Sequence, residues 1–282
     1  MHRYILTLSC ADRIGIVAAV AGTLLAQHCN IIDSAQFGDT ATNRFFMRVS
    51  FHAEADRSLV QLRQAFAPVV ERFAMNLSLY DTAIRLRVVL MVSKFGHCLN
   101  DLLYRHRVGA LAMEIPAIVS NHRDFYQLAA AHDIPFYHLP VTPDSKARQE
   151  ERLLEIVHSA GCDLVVLARY MQVLSSSLCA QLSERAINIH HSFLPSFQGA
   201  KPYQQAHDRG VKLIGATAHY VTEDLDEGPI IEQDVSRVDH AMSAEDCAAA
   251  GRDVECAVLA RAVKWQVEHR ILLNGRRTVI FR

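Results

Sequence analysis

Asn188 and His190 alternate with Ile187 and Ile189 in the stretch Ala-Ile-Asn-Ile-His, residues 186–190. Alternation of apolar and polar side chains is the period of a strand. Ile187 and Ile189 are therefore expected to face a core, with the amide and the imidazole on the opposite face, roughly 6–7 Å apart. A proline-bearing loop, His191 to Pro195, follows at once, so both groups belong where a strand ends and a pocket can open. Asp226 comes later, in the acidic loop Asp224-Leu225-Asp226-Glu227-Gly228-Pro229. Amide, imidazole and carboxylate together are the parts of an acyl-transfer site that needs no covalent nucleophile. The Asn188 amide would donate to the oxygen that becomes an alkoxide in the tetrahedral intermediate, a contribution of roughly 3–4 kcal/mol. Protonated His190 would stabilise the same oxygen and return a proton to the leaving nitrogen. Asp226 would raise the His190 pKa by charge pairing and accept the proton of an attacking water.

Other chemistries fit these residues less well. Taken singly, a histidine is more often structural than catalytic, and Asp226 before Gly228-Pro229 suits a turn. Zinc would want HExxH or closely spaced His and Cys. His190, His191, His207 and His219 show neither spacing, so no metal is expected. A Ser-His-Asp triad could draw on Ser192 or Ser196, but neither serine sits in a GxSxG elbow. Whether His219 reaches the site is left open by the sequence.

The elements that must position these groups follow from the pattern of the chain. Residues 3–9 read as a strand, and Asp12-Arg13-Ile14-Gly15 leads into an apolar helix that stops near Cys29. Strands over about 30–38 and 44–52 flank the polar turn 39–43. A helix over about 57–72 carries Leu59, Leu62, Phe66, Val69 and Val70 at helical spacing, and a strand over about 75–80 closes the unit. The order βαββαβ is a ferredoxin-like split βαβ sandwich. A new apolar strand starts at about residue 87, which puts the break between domains at 82/83. Strands at 87–93, 112–119, 135–139, 163–168 and 186–190 then alternate with helices at 97–106, 122–131, 147–160 and 175–182. Such alternation implies a doubly wound, mostly parallel α/β sheet, whose ligands bind at the carboxyl ends of the strands. Strands at 212–221 and 230–235, a long helix over 244–270 and a last strand over 277–281 complete this second domain, 83–282. The segment Ala168 to Leu174 follows the apolar strand 163–167 at the same sheet edge as His190. Its backbone could line a pocket for a flat heteroaromatic ligand, or form an ordinary βα loop with Met171 and Leu174 in the core.

Composition excludes several function classes. The chain of 282 residues carries a net charge of −1, which offers no electrostatic case for nucleic acid or an acidic membrane. No apolar run approaches the roughly 18 residues of a membrane span, and the N-terminus lacks a signal-peptide core. Seven cysteines occur without CxxC or zinc-ligand spacing, so reduced thiols and a cytoplasmic protein are expected.

Two family resemblances add to this reading. Asp12-Arg13-Ile14-Gly15 after the first strand and Asn30-Ile31 opening the second resemble the ACT domain, a small regulatory fold that often binds amino acids at a dimer interface. The resemblance implies an amino-acid effector near Asp12, Gly15 and Asn30, and a homo-oligomer, dimer or tetramer. Asn188-Ile189-His190, Ser192-Phe193-Leu194-Pro195 and Leu225-Asp226-Glu227-Gly228-Pro229 resemble the formyltransferase family that handles 10-formyltetrahydrofolate, over roughly residues 87–282. In that family the corresponding asparagine, histidine and aspartate are catalytic. The resemblance further implies folate contacts from Met171, Gln172, Val173 and Leu174, and from Thr222, Glu223 and Asp224 of the acidic loop, with no cofactor beyond the folate substrate. Within the family, an ACT domain joined to the transferase fold is similar to the deformylase branch, as are His97-Cys98-Leu99-Asn100 and Gly215-Ala216-Thr217-Ala218-His219. Glycinamide-ribonucleotide formyltransferases hold their acceptor's phosphate on a glycine-rich loop after the first strand of the domain. Here Ser93-Lys94-Phe95-Gly96-His97 has one glycine, which leaves water as the expected acceptor. Hydrolysis within one-carbon metabolism and purine biosynthesis is the expected activity. The alternatives are formyl transfer to an amine without phosphate, and folate or amino-acid sensing without turnover.

Overall fold

The computed structural model describes residues 2–54, 57–195 and 202–282. They form two compact units. The first contains β1 (Arg3–Ala11), α1 (Ile16–Ala26), β2 (Cys29–Asp39), β3 (Arg44–Ala53), α2 (Leu59–Phe73) and β4 (Asn76–Asp81). Its sheet has the order β2-β3-β1-β4, antiparallel throughout. Ile16, Val20 and Leu24 of α1 and Leu62 and Phe66 of α2 enter one core with Leu6, Leu8, Met47 and Val49. Helix α2 begins where Ser58 and Gln61 form a reciprocal capping box, which satisfies amide groups the first turn leaves unpaired. Helix α1 begins at Gly15, whose φ of 97° is one that side chains rarely adopt. Asp12 does not cap this helix: no side chain does.

The second unit runs through β5 (Leu86–Val92), α3 (His97–Arg107), β6 (Met113–Ser120), α4 (Tyr126–Ala130), β7 (Phe136–His138), α5 (Lys146–Ser159), β8 (Leu164–Leu167), α6 (Ser176–Gln181), β9 (Ala186–His190), α7 (Pro202–Asp208), β10 (Leu213–Tyr220), β11 (Ile230–Arg237) and α8 (Ala244–Val267). Its seven strands stand in the order β11-β10-β9-β8-β5-β6-β7. From β9 to β7 all neighbours are parallel, whereas β10 runs antiparallel to β9 and β11 to β10. Strands β5 and β8 are apolar on both faces, as strands covered by helices must be. The chain leaves β5 toward β6 and β7, then returns to lay β8 on β5's other side. That reversal is a topological switch point, where loops diverge and a crevice opens at the carboxyl ends of the strands. There the loops after β5 and β8 are tied together: Ser93 N donates to Arg169 O at 3.1 Å, and Met171 N to Ser93 Oγ at 2.9 Å.

The domain division differs from the sequence expectation at the C-terminus. β12 (Ile271–Asn274) and β13 (Arg277–Ile280) form a hairpin, and residues 268–274 and 278–282 group with the first unit rather than with 83–282. Specific polar contacts explain this. Buried Arg48 donates to the carbonyls of His269 (3.0 Å) and Glu268 (2.9 Å). Tyr80 stacks on His269 at 3.6 Å between ring centroids, and Asn274 Nδ2 donates to Asp39 Oδ2 at 2.6 Å. A terminal segment of alternating polarity carries no mark of which distant surface holds those partners.

Candidate active site

Strand β9 delivers Asn188 and His190 to the carboxyl edge of the sheet, with Ile187 and Ile189 buried as the alternation requires. The antiparallel register of β10 sets His219 directly opposite Asn188 and Thr217 opposite His190. Asp226 then turns in from the loop between β10 and β11 with φ of 59°. An aspartate there departs from the usual backbone regions, a departure that clusters at functional sites. His190 Nδ1 lies 3.2 Å from Asp226 Oδ2, and His219 Nε2 lies 3.6 Å from Oδ1 of the same carboxylate. His219 Nδ1 is held at 2.9 Å from the Tyr220 carbonyl and Nε2 at 3.3 Å from Asn188 Nδ2. The carbonyl makes Nδ1 a donor, and Nε2 stands between the Asn188 amide and the Asp226 carboxylate, accepting from the amide in the neutral ring and donating to the carboxylate in the charged one. His219 thus orients both the amide and the carboxylate.

Electrostatics gives these groups different tasks. Burial pushes the Asp226 carboxyl up, but hydrogen bonds and charges from His190 and His219 together outweigh it and hold it well below the usual carboxylate range. Asp226 is an anion at neutral pH. His190 Nε2 is buried and has no hydrogen-bond partner among the described residues, although its ring lines the cavity. An unsatisfied buried ring nitrogen is costly in a finished core and natural in a site that awaits a ligand. His191, by contrast, is pushed down to about 4, by burial and then by the Arg169 charge, and stays neutral.

The cavity in front of these groups has a volume of about 320 Å³, the size of a small-molecule site. Met171, Gln172, Val173 and Leu174 all line it, as do Thr222 and Glu223. Met171 and Val173 are half-exposed, so the structure favours the pocket-lining alternative for them. Asp224 does not line the cavity. Its carbonyl accepts from Thr222 Oγ1 at 2.9 Å, so it shapes the loop with its backbone while its side chain stays exposed. Ser192 is buried behind the site, with its carbonyl accepting from Thr217 Oγ1; Ser196 lies outside the described residues. In the first unit, Asp12 and Asn30 are exposed, Asn30 pairs with His52 across β2 and β3, and Gly15 starts α1. The cleft of that unit is lined elsewhere, by His2, Tyr4, Arg57, Ser58, Gln61 and Asp81.

The sequence does not single out Arg169, Tyr203 or Glu255, which cluster beside the cavity at Asn188 and His190. Glu255 is completely buried, 2.7 Å from His97 Nε2 and 2.5 Å from Tyr203 Oη. A usable signal existed: a carboxylate on the apolar stripe of α8, between Gly251 and Leu259 at i−4 and i+4, must find partners. His97, Cys98 and Glu255 bring three donor atoms within 4.8 Å of one another. The Arg169 guanidinium, with Nε 3.2 Å from Glu255, already supplies the positive charge. The Cys98 thiol is also raised well above its ordinary value, by its hydrogen bond with Cys256 and by burial, which makes it a poor ligand.

Comparison with known proteins places this geometry. Residues 86–263 match the formyl transferase family. A formyltetrahydrofolate deformylase of Corynebacterium sp. (strain P-1) is 49% identical over 281 residues, spanning 99% of this chain and 98% of the relative. The crystal structure of formyltetrahydrofolate deformylase from Burkholderia mallei ATCC 23344 superposes with a TM-score of 0.95 at 56% identity, over 100% of both chains. Glycinamide ribonucleotide transformylase 1 from Symbiobacterium toebii covers 73% of this chain and 98% of its own, with a TM-score of 0.67 at 30% identity. The similarity to deformylases runs from end to end, through both units, and the chain belongs to the formyltetrahydrofolate deformylase family.

Proposed function

We propose that this protein hydrolyses 10-formyltetrahydrofolate to tetrahydrofolate and formate, with no metal or cofactor. The observation that carries the reading is the convergence of Asn188, His190 and Asp226 on one cavity, in a chain similar to deformylases over its whole length. Asn188 and the free Nε2 of His190 meet the formyl oxygen as it becomes an alkoxide. Asp226, held anionic by its two histidines, stands 3.2 Å from His190 Nδ1 and orients the ring with Nε2 toward the cavity. A carboxylate with so low a proton affinity is a weak base at rest. When His190 gives its proton to the leaving N10, one of the charges that depress Asp226 disappears. Its affinity for the water's proton then rises, and the two transfers are coupled. Incubation with 10-formyltetrahydrofolate and no amine is expected to release formate and tetrahydrofolate steadily. Turnover that waits for an added amine would mean a transferase, and none at all a sensor.

The proposal extends to regulation. The βαββαβ unit serves as an ACT-type domain through which copies associate into a dimer or tetramer, with an amino-acid effector near Asp12, Gly15 and Asn30. Its support is β2, an edge strand of 11 residues that exposes Ile31, Ile32 and Phe37. The same reading assigns the enzyme to cytoplasmic one-carbon metabolism and purine biosynthesis, with no nucleic-acid or membrane partner. Among the described residues no helix is long and apolar enough to cross a membrane. Sedimentation is expected to show an even-numbered oligomer, and a monomer at every concentration and with every amino acid added would remove this part of the proposal.

A further inference from the structure

A second cavity, of about 440 Å³, adjoins the catalytic one and shares Arg169, Met171 and His191 with it. The His191 ring makes an edge contact with His190 at 5.3 Å and with Tyr203 at 6.2 Å. A nucleophile larger than water that approached the formyl carbon beside the folate would have this space to occupy. An amine acceptor would need a hydrogen-bond acceptor or anion there to hold and orient its nitrogen. Two carboxylates line the cavity, Glu245 and Glu255, and Glu245 is exposed at the start of α8. Glu255 is the buried one, and each of its oxygens already has a hydrogen-bond donor. Its Oε2 takes His97 Nε2 at 2.7 Å and pairs with Arg169 Nε at 3.2 Å, while Oε1 accepts from Tyr203 Oη at 2.5 Å.

The enclosure of Glu255 is built, not incidental. Tyr203 lies so close to α8 that a Cβ at Gly251 would stand 2.2 Å from Cζ and 2.4 Å from Oη, so glycine is what admits the ring. Arg169 holds a φ of 66°, in the left-handed region, and its guanidinium stands 5.6 Å over the Phe95 ring. Burial pulls the Glu255 carboxyl up, but His97, Arg169 and Tyr203 together outweigh it and leave it below its ordinary value. A newcomer must reach a carboxylate that is wholly buried and ringed by three partners, and displacing one partner strands that group in turn.

We infer that the buried Glu255–His97–Arg169–Tyr203 cluster is the specificity device of this site, closing the acceptor-side cavity to amines so that water alone attacks the formyl carbon. The inference rests on the hydrolytic reading above. In hydrolysis the water oxygen bonds to the formyl carbon, the carbon–N10 bond breaks, one water proton reaches N10 and the other is lost as formate ionises. In transfer an amine nitrogen takes the oxygen's place and its proton goes to N10. Both outcomes start from the same substrate and release tetrahydrofolate, so their ratio reports which nucleophile the site admits. His97, Arg169 and Tyr203 act through Glu255 and are positioning residues.

The test uses the full-length protein, 10-formyltetrahydrofolate labelled in the formyl carbon, and glycinamide as the amine. The N-formylglycinamide to formate ratio is expected to match the enzyme-free background for the wild type. In His97→Ala/Tyr203→Phe, which leaves Glu255 with Arg169 alone, the ratio is expected to rise about tenfold or more. Tyr203→Phe alone removes a single oxygen; it is expected to raise the ratio less, and it carries the test if the double variant does not fold. A wild type that formylates glycinamide above background overturns the inference, and so do folded variants that hydrolyse with an unchanged ratio. A wild type that releases no formate without amine overturns the hydrolytic reading instead, so the two failures are distinguishable.

Discussion

Asp226→Asn is expected to lower kcat for 10-formyltetrahydrofolate by about 10³-fold while affinity for the folate stays near that of the wild type. The substitution keeps the shape of the side chain and its reach to His190 Nδ1 at 3.2 Å and His219 Nε2 at 3.6 Å. It removes the negative charge beside His190 Nδ1 and, on the proposed mechanism, the group that takes the water's proton once His190 has discharged. Both losses fall on the transition state, where charge moves, and neither touches the walls contributed by Met171 to Leu174. His190→Ala removes the imidazole that faces the alkoxide and is expected to cost a similar factor. Because the pair acts as a unit, the double variant should cost little more than either single one. Steady-state kinetics with a parallel titration of folate binding checks all three proteins. Near-normal kcat in Asp226→Asn would assign the proton transfers to other groups.

Gly228→Ala is expected to destabilise the protein by roughly 3 kcal/mol and to cut kcat by about 10²-fold. A Cβ at residue 228 would stand 1.7 Å from the Tyr220 carbonyl oxygen and 2.8 Å from its carbon. Both atoms are backbone at the end of β10, so no side-chain rotation relieves the overlap. The Tyr220 N to Pro229 O hydrogen bond of 3.0 Å, which closes the strand pair here, must open or shift. The loop between β10 and β11 moves with it and carries Asp226, two residues upstream. A displacement of the order of 1 Å is enough to spoil its geometry with His190. Gly22→Ala in α1 is the control: its Cβ meets nothing within 4 Å, so stability should hold or rise. Denaturant midpoints and kcat measured together check the prediction, which fails if Gly228→Ala folds with wild-type stability and activity.

The candidate catalytic residues and the framework around them were legible because their placement depends on local pattern. The alternation of residues 186–190 put Asn188 and His190 on one face, and β9 bears this out with Ile187 and Ile189 buried behind them. Apolar strands alternating with helices implied a parallel sheet with its crevice at the carboxyl edge, and five of the seven strands are parallel neighbours from β9 to β7. The acidic loop was recognisable by composition, and Asp226 was singled out within it; Asp226 does turn inward, with φ of 59°, whereas Asp224, expected to contact the folate, does not line the cavity.

Periodicity is a property of neighbours along the chain, so the sequence by itself determined the elements, their inward faces and the strand end where amide and imidazole meet. Register and docking are properties of neighbours in space, and tertiary structure alone decided what stands against those groups. His219 enters the site because β10 pairs with β9 in a register that sets it opposite Asn188. Glu255 reaches His97, Arg169 and Tyr203 because α8 packs against α3, α7 and the loop after β8, 52 to 158 residues earlier in the chain. The terminal hairpin joins the first unit because Arg48, Tyr80 and Asp39 offer partners that no nearby stretch foretells. A buried polar group must be paired, and the partner is chosen by the fold rather than by sequence distance.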